Sequence, residues 1–234
     1  MYYRKLGNTG CLCGEVGFGA WTLGGAPGTE PADDTAVAMV RYALDHGANV
    51  IDTADVYGDG RSEKLVGQAI EGRRERALVA TKGGLVDHGG TLVRNFSPSH
   101  IARSAQESRE RLRCDYIDLY QLHYPTADAL ADPELWETLD RLQADGVIRH
   151  VGVAADTPAV AAAALAERRV ETLQIVLNAL DTSMLPVLRR ARAAGVGVIV
   201  RSPLLAGFLT GAYGADQPFP AGDPLAGWSR ERWE

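Results

Sequence analysis

A chain of 234 residues, 46% hydrophobic and 23% charged, can bury one substantial core, and a single domain over residues 1–234 is expected. Its net charge of −6 is spread without a basic run, which argues against nucleic acid as a partner. Nowhere do about 18 apolar residues run together, and MYYRKLGNTG has no apolar signal-peptide core, so a soluble, cytoplasmic protein without membrane contact is expected.

Residues 1–15, with a Gly-Asn turn and Cys11 and Cys13 before the first buried run, predict a small hairpin outside the main repeat. Three cysteines, with Cys114, are too few for a disulfide framework, and an isolated C-x-C is poor metal-ligand spacing; structural thiols and no metal are expected. Seven β-branched runs follow in order: EVGFGA, NVIDTA, ALVATK, YIDLYQLH, HVGVAA, TLQIVLN and VGVIVRS. Helical patterns separate them, the alternation expected of parallel strands joined by crossover helices. Ser97-Pro98, Asp132-Pro133 and Thr157-Pro158 each put a capping side chain before a proline at the first helical position. After Ser97, a stripe of Ile101, Ala105, Ser108 and Leu112 leaves Arg103, Glu107 and Arg111 largely outside, and Leu135, Leu139 and Leu142 repeat the device. The expected fold is an α/β barrel of the (β/α)8 TIM type, incomplete in that seven β/α strands and an N-terminal hairpin are recognisable. The end, GADQPFPAGDPLAGWSRERWE, reads as a long loop with no eighth strand, leaving an edge for a second copy or a partner chain to cover.

In a parallel barrel the chemistry lies at the carboxyl ends of the strands. Asp52 ends the second run with Tyr57 in the loop behind it, Lys82 ends the third and His123 the fourth; Gln174 lies in the sixth and Arg201 ends the seventh. A phenol with an ordinary pKa of about 10 is a poor acid at neutral pH unless a cation such as Lys82 favours its phenolate. A buried lysine needs a carboxylate such as Asp52 to stay charged. An imidazole beside them would direct a substrate oxygen to the phenol, a set suited to protonating a carbonyl oxygen while hydride reaches its carbon. Singly, each has an ordinary structural reading: a turn cap, a lid aromatic, a solvated lysine, a hydrogen-bonded histidine. Their joint placement favours the chemical one. His46, His88, His100 and His150 are read as lying in loops or on helix ends, without chemistry.

The stretches GFGAWTLGG, NVIDTADVYGDGRSEKLVGQAI, ATKGG, YIDLYQLHYP, GVIRHVGVAA, LQIVLNALD and GVIVRSPLLAGFLTG together resemble the aldo-keto reductase family through nearly the whole chain. The resemblance implies an NADPH-dependent reduction of an aldehyde or ketone, with a tetrad on Asp52, Tyr57, Lys82 and His123. Tyr57 would be the general acid, tuned by Lys82 and Asp52, and His123 would orient the carbonyl. It also implies that Gln174 bonds the nicotinamide carboxamide and that Arg201, Ser202, Pro203, Leu204, Gly207 and Leu209 run along the ring and pyrophosphate. Gly19, Trp21 and Asp52 complete the implied cofactor contacts, and Trp21, Tyr57, His123 and Tyr124 wall the substrate pocket.

Two departures from the family pattern bear on the cofactor. Ala154-Ala155 stand where the family has Ser-Asn, removing two polar partners of the carboxamide; a lost hydrogen bond costs about 1 kcal/mol. The segment that grips the adenosine 2′-phosphate is not recognisable, so weakened NADPH binding is expected. A redox-neutral acid–base enzyme using the same tetrad, or a non-catalytic binding or regulatory subunit, are the alternative readings.

Overall fold

Side chains along a strand alternate between faces, so in a barrel every second residue meets the helices and the others meet the interior. A computed structural model of the protein describes residues 1–25 and 30–213 of the 234. It opens on the expected antiparallel hairpin, β1 (Tyr3–Lys5) and β2 (Leu12–Gly14). The parallel strands are β3 (Phe18–Gly19), β4 (Val50–Asp52), β5 (Leu78–Gly83), β8 (Ile117–His123), β9 (Ile148–Ala154), β10 (Thr172–Val176) and β11 (Gly197–Arg201). All seven expected runs therefore enter one curled sheet, ordered β11-β10-β9-β8-β5-β4-β3, with every neighbouring pair parallel. A second hairpin, β6 (Leu85–His88) and β7 (Thr91–Arg94), leaves the end of β5 and turns through Gly89 and Gly90, both in the left-handed region. The helices are α1 (Trp21–Gly24), α2 (Asp33–Asp45), α3 (Arg61–Ile70), α4 (Pro98–Arg111), α5 (Ala127–Leu130), α6 (Pro133–Ala144), α7 (Pro158–Ala164) and α8 (Leu185–Ala194). Among the described residues no helix is long and apolar enough to cross a membrane.

The two faces of the sheet make two cores. Ile51, Val79, Tyr120, Leu122, Val151 and Leu173 pack outward against Val40, Leu65, Ile101 and Leu139 of the helices. Their alternates Val50, Leu78, Ala80 and Leu119 point inward and meet Leu6 and Cys13 from the hairpin, which closes the amino ends of the strands. Burial there pushes the Cys13 thiol up to about 11, as suits an inert structural thiol. Continuing the inward alternation toward the carboxyl ends gives Asp52, Lys82, Gln121, His123, Gln174 and Arg201, so the geometry that makes the core also delivers the polar groups to one mouth.

The helix starts fit the sequence in part. Asp132 Oδ1 accepts from the Glu134 N–H at 2.9 Å and Thr157 Oγ1 from the Val160 N–H at 3.3 Å. Ser97 does not cap its helix: its hydroxyl is turned to Asn95, donating to Oδ1 at 2.8 Å, and accepts from no N–H of the first turn. On α4 the stripe Ile101, Ala105, Ser108 and Leu112 is fully buried, as expected, whereas Arg111 is half-buried and turned to Glu63. His88 and His150 also differ from expectation: the first closes β6, and the second lies within β9, its Nδ1 2.7 Å from Glu171 Oε1. The segment read as a long terminal loop, residues 214–234, lies outside the described residues.

Candidate active site

Lys82 is the centre of the mouth. Only 1% exposed, it directs its three ammonium protons to Asp52 Oδ2 at 2.7 Å, the Thr53 carbonyl at 2.7 Å and the Tyr57 hydroxyl at 3.4 Å. Burial works against its charge, but the Asp52 carboxylate and then the Tyr57 oxygen outweigh burial and hold the ammonium above its ordinary range. Asp52 is satisfied in turn: its Oδ1 accepts from Gln174 Nε2 at 2.7 Å and from Gln121 Nε2 at 3.2 Å. Because Lys82 donates to the Tyr57 oxygen, the phenol's own proton is free for another acceptor.

The phenol is tuned differently from the sequence expectation. Burial pushes the Tyr57 pKa up more than the Lys82 ammonium lowers it, and the Asp52 charge adds to the rise, so the group stays protonated at neutral pH. His123 lies edge-on to Tyr57, ring centroids 6.0 Å apart, and is 3% exposed. Burial, then the charges of Lys82 and Arg201, keep its imidazole neutral, well below the usual histidine range. Its Nδ1 is buried and has no partner among the described residues. The ring proton is assigned to Nε2, because that tautomer leaves an unpaired acceptor at Nδ1 instead of a costlier unpaired N–H. The four sequence-predicted groups thus meet as one cluster.

The rim carries the remaining predicted residues. Tyr124 adopts a left-handed backbone (φ 56°), held by its N–H to the Ala154 carbonyl at 3.0 Å and by Arg94 Nε donating to its own carbonyl at 2.7 Å. Its ring leans on His123 at 4.6 Å and lies 5.0 Å from the Arg201 guanidinium. Trp21, half-exposed, starts α1 directly after β3, and a side chain added at Gly19 would meet nothing within 4 Å. Ser202, Pro203 and Leu204 are exposed; the turn beyond them runs through left-handed Ala206 and Gly207 and brings the Leu209 N–H to the Leu204 carbonyl at 3.2 Å. Arg201 Nε is buried without a partner among the described residues. An unpartnered guanidinium nitrogen and this exposed backbone fit a dinucleotide along the β11 side, and the open space at Gly19 lies on β3, at the other end of the strand order. Beside Gln174 the lining is poorer in polar side chains: Ala154 and Ala155 are buried and apolar, and one of the two Gln174 amide protons goes to Asp52.

Sequence reasoning missed a polar layer behind the tetrad. Ser104 Oγ donates to Asp55 Oδ2 at 2.8 Å, and the Tyr120 hydroxyl donates to Ser104 at 3.0 Å. Fully buried Glu63 accepts from Thr81 Oγ1 and from Arg111 Nε, each at 2.5 Å. The available signal was Ser104 and Ser108 on the sheet-facing side of α4, polar residues where an apolar stripe was due. An open apolar groove of about 600 Å³, lined by Val16, Phe18, Met39 and Tyr42 among others, lies beside β3 and α2, away from the tetrad. Its lining holds the Tyr42 phenol but no aspartate, lysine or histidine, so the chemistry is assigned to the mouth.

A family model described as the aldo/keto reductase family matches residues 15–228. The chain is 33% identical over 227 residues to the aldo-keto reductase YhdN of Bacillus subtilis, covering 95% of this chain and 68% of that protein. It resembles the solved glycerol dehydrogenase AKR11B4 from Gluconobacter oxydans at 32% identity and a TM-score of 0.82, covering 96% of this chain and 70% of that one. An aldo-keto reductase from Klebsiella pneumoniae solved in complex with NADPH matches at 27% identity and a TM-score of 0.73, over 88% of this chain and 70% of the other. The chain spans about two-thirds of the length of the curated relatives it matches.

Proposed function

Because the chain belongs to the aldo/keto reductase family, we propose that it reduces an aldehyde or ketone to an alcohol with NADPH, Tyr57 supplying the proton. The observation that carries this reading is the buried Lys82, whose third ammonium proton is turned to the Tyr57 oxygen while Asp52 and the Thr53 carbonyl hold the other two. When bound, the dihydronicotinamide supplies hydride to the carbonyl carbon. Arg201, the backbone of residues 202–209 and the space beside Gly19 would hold the dinucleotide. Neutral His123 donates to the carbonyl oxygen through Nε2–H and fixes it toward Tyr57. Tyr57 keeps its proton until that oxygen gains charge, then transfers it, and the adjacent Lys82 ammonium stabilises the phenolate left behind. Trp21 and Tyr124 wall the substrate.

Tyr57→Phe is expected to lower kcat about 10²–10⁴-fold with little change in NADPH affinity, since it removes only the proton donor. Turnover by Tyr57→Phe at the wild-type rate would sink the assignment. NADPH and NADH titrations followed by tryptophan fluorescence, with Arg201→Ala as control, test the cofactor. Redox-neutral acid–base catalysis is the second reading, favoured by the apolar Ala154-Ala155 at the end of β9. Product formed by a folded chain without nicotinamide would select it.

A further inference from the structure

The turn that carries Tyr57 also carries Asp55, and this residue, by its backbone N–H and its carboxylate, ties the turn to β5 and to α4. Its backbone N–H donates to the Lys82 carbonyl at 3.2 Å, at the end of β5. Its side chain crosses to α4, where Ser104 Oγ donates to Oδ2 at 2.8 Å. The Tyr120 hydroxyl of β8 backs Ser104 at 3.0 Å. That pair rests on the backbone next to Lys82: a Cβ added at Gly83 would come within 2.0 Å of the Tyr120 oxygen and 2.5 Å of Ser104 Oγ. We infer that Asp55 is a positioning residue for Tyr57 and Lys82, whose carboxylate, anchored by Ser104, clamps the β4–α3 turn to α4 beside the end of β5 and loosens when it takes up a proton. The inference rests on the reductase reading for its kinetic consequence, though not for its geometry.

The charged groups around Asp55 explain why it can change state. From α3, Glu63 repels it; from α4, Arg111 attracts it but is committed to Glu63; Lys82 of β5 gives its ammonium to Asp52; β8 offers only the Tyr120 hydroxyl. Burial raises Asp55 to about 7, with the Ser104 bond opposing, Glu63 adding, and the Val56 N–H and Arg111 opposing. The ionised form accepts a charge-assisted bond from Ser104. A proton on Oδ1 would find no acceptor among the described residues, since that atom is buried and unpartnered. Of the tetrad, Tyr57 and Lys82 titrate above their ordinary ranges and His123 well below its own, so none of these three accounts for a change near neutrality.

The test combines the pH dependence of carbonyl reduction by the wild type, Asp55→Asn and Ser104→Ala with a ¹³C-carboxyl NMR titration of Asp55 in the free protein. Wild-type kcat is expected to rise several-fold with a midpoint near the value for Asp55, about 7. Asp55→Asn should lie flat at the low-pH level with KM within about two-fold of wild type, and Ser104→Ala should move the midpoint upward. The backbone amides of Tyr57 and Lys82 should shift with the same midpoint as the Asp55 carboxyl, a coupling that a merely structural carboxylate would not produce. An unchanged pH limb in Asp55→Asn, or silent Tyr57 and Lys82 amides while Asp55 titrates, overturns the inference. If Asp55→Asn does not fold, an unmoved midpoint in Ser104→Ala overturns it instead. If no carbonyl is turned over, the reductase reading fails on its own and the NMR titration still decides the positioning role.

Discussion

Lys82 cannot be replaced by an apolar side chain of similar length without stranding Asp52. With the ammonium gone, the carboxylate keeps the Gln174 and Gln121 amides but loses its only counter-charge in the cluster. Breaking a buried pair on one side costs about 3–5 kcal/mol. Asp52, 21% exposed and doubly hydrogen-bonded, belongs at the lower end. Lys82→Met is therefore expected to lose about 3 kcal/mol in denaturant unfolding, and Lys82→Met with Asp52→Asn to recover part of it; a single substitution as stable as the wild type would contradict the pairing. The tetrad was legible in the sequence because position does much of the work: a residue at a strand's carboxyl end, in phase with the inward alternates, has one place to go. Asp55 was not, since an aspartate in a turn reads as solvated and only α4 packing over it supplies the burial. The direction of the Tyr57 shift was missed for the same reason: the Lys82 charge is visible in the residue list, whereas the burial that outweighs it belongs to the assembled mouth.

All seven strands were legible because a sheet covered on both faces writes itself as short continuous apolar runs. The β6–β7 hairpin was not, although Gly89-Gly90 marks its turn, because Asp87 and His88 interrupt the apolar pattern of strands that are largely exposed. The paired Ser-Pro and Thr-Pro starts look alike in sequence and differ in structure, which gives a direct comparison between elements. Thr157 accepts from the N–H of Val160, the third residue of α7, whereas the Ser97 hydroxyl is turned to Asn95. Thr157→Ala should therefore destabilise by about 1 kcal/mol, the usual cost of losing a cap, and Ser97→Ala by less than half as much. Urea midpoints of the two variants check this; equal losses would mean that the Ser97–Asn95 bond is worth as much as a cap.

At the scale of the molecule, Asp55 sets stability against activity. Its folded pKa is raised from an ordinary 3.8 to about 7, so the folded state binds this proton more tightly than the unfolded chain does. The sign follows: its contribution to stability is complete below about pH 4, declines as pH rises and is gone above about 7. Glu171 runs the other way. Burial raises it, but His150, the Val151 N–H and Gln143 outweigh burial, so its contribution is present above its ordinary range and lost only in stronger acid. At 1.36 kcal/mol per unit, the Asp55 shift corresponds to a loss on the order of 3–4 kcal/mol between pH 4 and pH 8. Denaturant unfolding of the wild type should show that slope, and Asp55→Asn should flatten it and be the more stable protein at pH 8. A wild-type curve flat over this range would mean that Asp55 is solvated enough to ionise without penalty. A charge held at such expense, two residues from the proton donor and hydrogen-bonded to the α4 serine that packs beside the strand bearing Lys82, makes sense if catalysis needs the ionised clamp where folding alone would prefer it neutral.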